Sequence, residues 1–148
     1  MRFIHRFIPV LALLFTLAAT SYAQSARRTV TLIPFDFVAG EKVLPAGTYR
    51  IEPVRRDSYT VWEVRSTTGR AGAVVMTSAL GGGASGATES KLVFQKYGEI
   101  YVLAQVWPSS DGAGREVVQS RRGRTIMAEA AAGNGQKPEA VTVAARVR

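Results

Sequence analysis

The side chains of this chain that could carry acid–base chemistry are its carboxylates. The sequence has no cysteine and one histidine, His5, near its start. Catalytic sites built on a histidine base or a cysteine nucleophile are therefore not expected, and zinc sites normally need the same residues. A hydrolase would have to place two carboxylates across a cleft, chosen from Asp36, Glu41, Glu52, Glu63, Glu99 and Glu116.

Arginine is the second candidate functional side chain, because its forked guanidinium group matches the oxygens of phosphates and carboxylates. The formal net charge of the chain is +8. Most arginines are dispersed over turns and tails, but one local cluster contains Arg115, Arg121, Arg122 and Arg124. Positive charge attracts polyanions without specificity, so this cluster predicts contact with an envelope polyanion or an acidic polysaccharide.

Two aromatic residues form the third candidate site. In a regular strand over residues 100–107, Tyr101 and Trp107 share one face. If that face is exposed, the two rings are candidates for contact with a carbohydrate or a protein. If it is buried, they pack in the core. No pattern typical of a specific nucleic-acid module is present.

Residues 81–86 have the glycine spacing of a phosphate-binding loop. The lysine that reaches the phosphates in such loops is missing, and the segment leads towards a predicted strand. We therefore interpret it as a hairpin loop.

Residues 1–23 have the pattern of a secretory signal peptide. Positive residues precede an apolar run over residues 7–19, and Ser21 and Ala23 occupy the small-residue positions before a cleavage site. The run is shorter than the roughly 20 residues that span a membrane. We expect export to the periplasm or outside the cell, with no transmembrane segment after cleavage.

Apolar and polar residues alternate with the period of β-strands over most of the remaining chain. The pattern predicts seven short strands, over residues 29–33, 48–53, 59–66, 71–78, 90–96, 100–107 and 116–119.

Ser120 is a favourable N-cap for a short helix over residues 121–132. We therefore predict an all-β fold, a small antiparallel sandwich or barrel of about seven strands with a short C-terminal helix. The β-rich domain takes in residues 24–132. The tail, residues 133–148, is predicted to be either flexible or an edge strand.

The segments 33–40 (IPFDFVAG) and 44–49 (LPAGTY) resemble the opening of a family of small exported bacterial proteins. The resemblance spans roughly residues 30–130, includes an aromatic hairpin and a basic segment near the C-terminus, and implies an exported β-rich domain. That family is uncharacterised, so the resemblance implies no activity. The LPAGTY segment also resembles turns in carboxypeptidase-regulatory and transthyretin-like sandwiches.

The sequence thus favours an exported, non-enzymatic binding or structural module with no cofactor and no metal. Its partner is expected to be an envelope polyanion, a polysaccharide or another exported protein. A polyanion-binding envelope protein that uses the arginine cluster is the alternative function, and a carboxylate-based hydrolase is the third. The ligand and the oligomeric state stay open.

Overall fold

The computed structural model describes residues 28–55, 57–80, 89–108, 113–134 and 137–147. The predicted signal peptide and the glycine loop of residues 81–86 lie outside these residues. In the part of the chain that is described, no helix combines the length and the apolar character that a membrane crossing requires.

The described residues form an eleven-stranded sheet and one helix, which confirms the all-β class with a C-terminal helix. Short strands β2 and β3 are additional to the predicted ones, and β10 and β11 lie in the tail for which an edge strand was one alternative. The elements are β1 (Thr29–Ile33), β2 (Phe37–Ala39), β3 (Lys42–Leu44), β4 (Gly47–Arg55), β5 (Ser58–Ser66), β6 (Gly72–Ala79), β7 (Lys91–Tyr97), β8 (Ile100–Trp107), β9 (Arg115–Val117), α1 (Arg121–Asn134), β10 (Glu139–Ala144) and β11 (Arg146–Val147).

The sheet is open and has the strand order β10-β7-β8-β9-β6-β5-β4-β1-β11. Strand β6 joins two halves, because residues 72–76 pair with β5 and residues 77–79 pair with β9. Pro34 ends β1, and the chain then crosses to the other half, where β2 pairs parallel with β8 and antiparallel with β3. The sheet is therefore mixed, whereas the sequence predicted antiparallel pairing alone.

Side chains from the two halves meet in one hydrophobic core. Phe37, which is 1% exposed, joins the halves by edge-on contacts with Tyr49 of β4 and Phe94 of β7. The ring centroids lie 5.2 and 5.4 Å from that of Phe37, a favourable aromatic geometry. The crossover after β1 thus brings a central core residue to the start of β2.

A β-bulge in β8 changes which of its side chains point to the core face of the sheet. The register between β7 and β8 shifts so that Ala104 is an extra residue, and both Leu103 and Val106 become buried. In a regular strand, residues three positions apart lie on opposite faces. Tyr101 therefore shares the face of Leu103, whereas Trp107 lies on the face opposite to Val106. The prediction that Tyr101 and Trp107 share one face is wrong for this reason.

The C-terminal segment, for which the sequence left two alternatives, forms strands at both ends of the sheet. Strand β10 pairs with β7, and β11 pairs with β1. Between these pairings, Ala145 N donates to Ser90 O at 2.8 Å, and Thr31 Oγ1 donates to Ala144 O at 2.8 Å. The segment thereby connects the two halves along their edges.

Candidate functional site

The first turn of α1 is fastened to the turn between β2 and β3. Ser120 Oγ accepts a hydrogen bond from Gly123 N at 3.1 Å and donates to Gly40 O at 2.6 Å. The Glu41 carboxylate accepts from Arg121 N at 2.9 Å. These contacts satisfy N–H groups that a helix start leaves without partners. The N-cap predicted at Ser120 is confirmed. The acceptor Glu41 is about 80 residues distant in sequence, so no local pattern identifies it.

One face of α1 is turned towards the sheet. Gly123, Ile126, Met127 and Ala130 are buried or half-buried, and their spacing marks one stripe of a helix. The helix contacts β7. The arginines of its first turn are exposed. The helix therefore forms a wall beside the β2–β3 hairpin.

A groove of about 580 Å³ lies between this wall, the β2–β3 hairpin and the β7–β8 turn. That volume falls within the range of small-molecule sites. We call it the α1 groove; its lining residues are Asp36, Phe37, Val38, Glu41, Val43, Glu99, Ile100, Arg121, Arg122, Thr125 and Ile126.

Apolar side chains form the floor and the middle of the α1 groove. Phe37 and Val38 are buried beneath it, and Ile126 is half-buried. Val43 is 51% exposed and Ile100 is 44% exposed. Single exposed apolar residues are common on proteins, but grouped in a concavity they mark a binding surface.

One end of the α1 groove is acidic. Asp36 immediately precedes β2, and Glu99 immediately precedes β8. The two strands run parallel, with Phe37 beside Tyr101, so their starting ends lie together. Both carboxyl side chains line the groove at this end.

The other end of the α1 groove is basic. The helix start is hydrogen-bonded to Gly40 and Glu41 in the turn after β2. Arg121 and Arg122 are the first two residues of that helix. From Asp36 to Gly40 the chain advances four residues, which is about 13 Å at roughly 3.3 Å per extended residue. The acidic residues thus lie at the start of β2, and the helix start lies at the turn that follows its end.

The charged groups at the two ends differ in how far they are already engaged. Asp36 Oδ1 accepts from Ala46 N at 2.8 Å, and Glu41 accepts from the helix start. Among the described residues, none of the ion pairs involves Arg121, Arg122 or Glu99. These three side chains are therefore available to an incoming charged group.

The turn beside Asp36 is held by Tyr49. Its hydroxyl donates to Pro45 O at 2.6 Å, and the next residue, Ala46, donates its N–H to Asp36. Burial, and after it the charge of Asp36, raises the pKa of Tyr49 above its ordinary value. The phenol therefore stays a donor over the whole neutral range, and the acidic end keeps its position.

Comparison with protein-family models, with curated proteins and with solved structures found no match to this chain. The resemblance noted for residues 33–49 stays a prediction. The assignment of a site rests on the geometry of the α1 groove and on the chemistry of its lining.

The four arginines predicted as a cluster separate into two groups. Arg121 and Arg122 line the α1 groove, whereas Arg115 and Arg124 do not. The guanidinium of Arg115 lies over the ring of Tyr59, 4.8 Å from its centroid. Arg124 Nη1 donates to Gln119 O at 2.6 Å. Two of the four side chains are thus engaged within the protein.

The two predicted aromatic residues are half-buried and contact their own neighbours. Tyr101 stacks on Phe35 with a centroid separation of 3.8 Å. Trp107 has Lys91 Nζ 5.0 Å from its ring centroid, and the backbone of Gly114 lies so close that a Cβ there would be 2.6 Å from the ring. Neither ring lines the α1 groove.

The remaining candidate carboxylates lie on sheet surfaces. Glu52 of β4 is opposite Glu63 of β5, and each forms an ion pair with an arginine two residues along its own strand, Arg50 and Arg65. Glu116 is exposed on β9. Among the described residues, no group of three or more acidic, histidine or cysteine residues is arranged to hold a metal ion.

The cap at Ser120 can be tested through stability. We expect Ser120→Ala to lower the free energy of unfolding by about 1 kcal/mol, because it removes the acceptor for Gly123 N and the donor to Gly40 O. Urea denaturation followed by circular dichroism measures the change. Ser78→Ala, at an exposed position on β6, is the matched control and should be close to neutral. Equal effects of the two substitutions would contradict a stabilising cap.

Proposed function

We propose that this chain is an exported, non-enzymatic binding module and that the α1 groove is its binding site. The observation that carries the proposal is the pair of arginines, Arg121 and Arg122, without ion-pair partners among the described residues, beside exposed apolar side chains in a concave surface. Few, well-placed charges around an apolar cavity are typical of ligand sites. Export is supported by the signal-peptide pattern of residues 1–23.

The alternative function, polyanion binding, has less support from the geometry. A polyanion needs a continuous positive surface. Arg115 and Arg124 are engaged elsewhere, and the α1 groove also carries the carboxylates of Asp36 and Glu99. These negative charges would repel a second and third anionic group of an extended polymer.

A hydrolase is also less well supported. Asp36 and Glu41, the carboxylates of the groove that have partners, accept hydrogen bonds from backbone N–H groups and hold a turn and a helix start. Their observed contacts are those of structural residues. Binding without chemistry is therefore the function that the groove supports best.

The anionic dye 1-anilinonaphthalene-8-sulfonate, which combines an apolar body with one sulfonate, tests the proposed site. Its fluorescence rises when the body leaves water, so binding to the purified chain should give a saturable increase. We expect Val43→Asp to weaken binding about tenfold, because a carboxylate then replaces an apolar wall next to the dye.

Val54→Asp is the matched control. Val54 is 56% exposed against 51% for Val43, and it lies on β4 away from the groove. The control should bind the dye like the original protein, and urea midpoints of both variants separate lost binding from lost folding. If both substitutions change dye binding equally, or neither does, the groove is not the binding site.

A further inference from the structure

The occupant of the α1 groove can be inferred from its charge pattern. Building on the proposed function, we propose that it is a short linear peptide with apolar side chains, whose free ammonium group lies at Asp36 and Glu99. Its free carboxylate lies at Arg121 and Arg122.

The charge pattern selects a molecule with two opposite ends. Asp36 and Glu99 meet at the acidic end because β2 and β8 are parallel. Arg121 and Arg122 are held at the basic end by the contact of the helix start with the β2–β3 turn. An ammonium and a carboxylate each find a complementary charge only in one orientation.

Glu41 offsets only part of the positive charge at the basic end. Its carboxylate is 2.9 Å from Arg121 N and 3.4 Å from Arg122 N, so its charge faces the positive end of the helix. The guanidinium groups of the same two arginines have no ion pair among the described residues. A carboxylate can therefore be bound in the forked geometry that arginine favours.

The separation of the ends sets the length of the peptide. The backbone positions at the two ends of β2, Asp36 and Gly40, are about 13 Å apart by the rise of an extended strand. At roughly 3.3–3.6 Å per residue, that span corresponds to about four residues. Val43, Ile100 and Ile126 also line the groove and fit apolar peptide side chains.

Other occupants fit less well. A fatty acid would satisfy the arginines but leave the carboxylates at the acidic end with an apolar chain against them. A polyanion would be repelled there. The peptide is the occupant for which both charged ends and the apolar middle are matched.

Isothermal titration with a tetrapeptide of alanine and leucine tests this inference. The peptide is compared with its N-acetylated form and its C-amidated form. We expect the form with both ends free to bind, and each capped form to bind about fivefold more weakly, since each loses one partly exposed ion pair.

Two variants assign each end of the peptide to its partner. With Glu99→Gln, acetylation should no longer weaken binding as strongly, whereas the effect of amidation should persist. With Arg122→Gln, amidation should no longer weaken binding as strongly, whereas the effect of acetylation should persist. Glu116→Gln and Arg70→Gln remove exposed charges outside the groove and should leave all these ratios unchanged.

The outcomes distinguish this inference from the proposed function. If the dye binds and depends on Val43 but the peptide does not bind, the groove is a binding site and the peptide assignment is wrong. If the capped and free peptides bind equally, the charged ends do not specify the ligand and the inference is also wrong. If neither dye nor peptide binds, both proposals fail.

Discussion

Replacing Gly40 with alanine is expected to lower the free energy of unfolding by about 3 kcal/mol. Gly40 has φ = 59°, where a Cβ costs about 1–2 kcal/mol. A Cβ at this position would also lie 2.7 Å from Val74 O, a backbone atom that cannot move away without shifting β6. Crowding of this kind adds about 1–3 kcal/mol. Urea denaturation followed by circular dichroism measures the loss.

Two other glycines separate the contributions of conformation and crowding. Gly69 and Gly98 have φ values of 73° and 61°, but a Cβ on either would meet nothing within 4 Å. Their alanine variants should lose about 1 kcal/mol each. If Gly40→Ala is no worse than these controls, the close approach to Val74 does not matter. The substitution should also weaken dye binding, because Gly40 O accepts from Ser120 at the wall of the α1 groove.

Replacing Trp62 with alanine is expected to cost about 3–5 kcal/mol, the range for removing a large buried aromatic side chain. Trp62 is 2% exposed, and its Nε1 donates to Tyr59 O at 2.9 Å. Thr77 Oγ1 donates to the same carbonyl oxygen at 2.6 Å. The substitution therefore opens a cavity and removes a hydrogen bond within β5, whereas the bond from Thr77 of β6 to Tyr59 O remains. Guanidinium denaturation followed by circular dichroism is the measurement.

Trp107→Ala is the matched control, since the chain has two tryptophans and each substitution removes one. Trp107 is half-buried, so its loss should cost about 2 kcal/mol. Trp62→Phe, which keeps much of the volume, should recover more than half of the loss. A Trp62→Ala variant as stable as Trp107→Ala would show that the core does not depend on this ring.

Local sequence patterns predicted most of the long strands and the start of the helix. Alternation marked the strands, for example residues 29–33, and Ser120 marked the start of α1. These features depend on neighbours in sequence, so a sequence contains their signal. Strands β2 and β3 have three residues each, which is too short for a clear alternating pattern.

The candidate site was predicted only in part. Arg121 and Arg122 were identified as candidate contacts, but their partners in the groove were not. The acidic end exists because β2 pairs with β8, and the helix is placed by Glu41 about 80 residues before it. The bulge at Ala104 likewise arises from the need to bury Leu103 and Val106 together. Contacts between residues so far apart in sequence leave no local sequence pattern.

The C-terminal segment has a consequence for the order in which the protein can fold. Strand β1 pairs with β11, so that Thr29 meets Val147 across nearly the whole described chain. Pairings of such large sequence separation form slowly, because a long loop must close first. A growing chain cannot complete this sheet until residue 147 has emerged from the ribosome. Until then β1 and β7 keep unpaired edges, which the last ten or so residues cover in one stretch of chain.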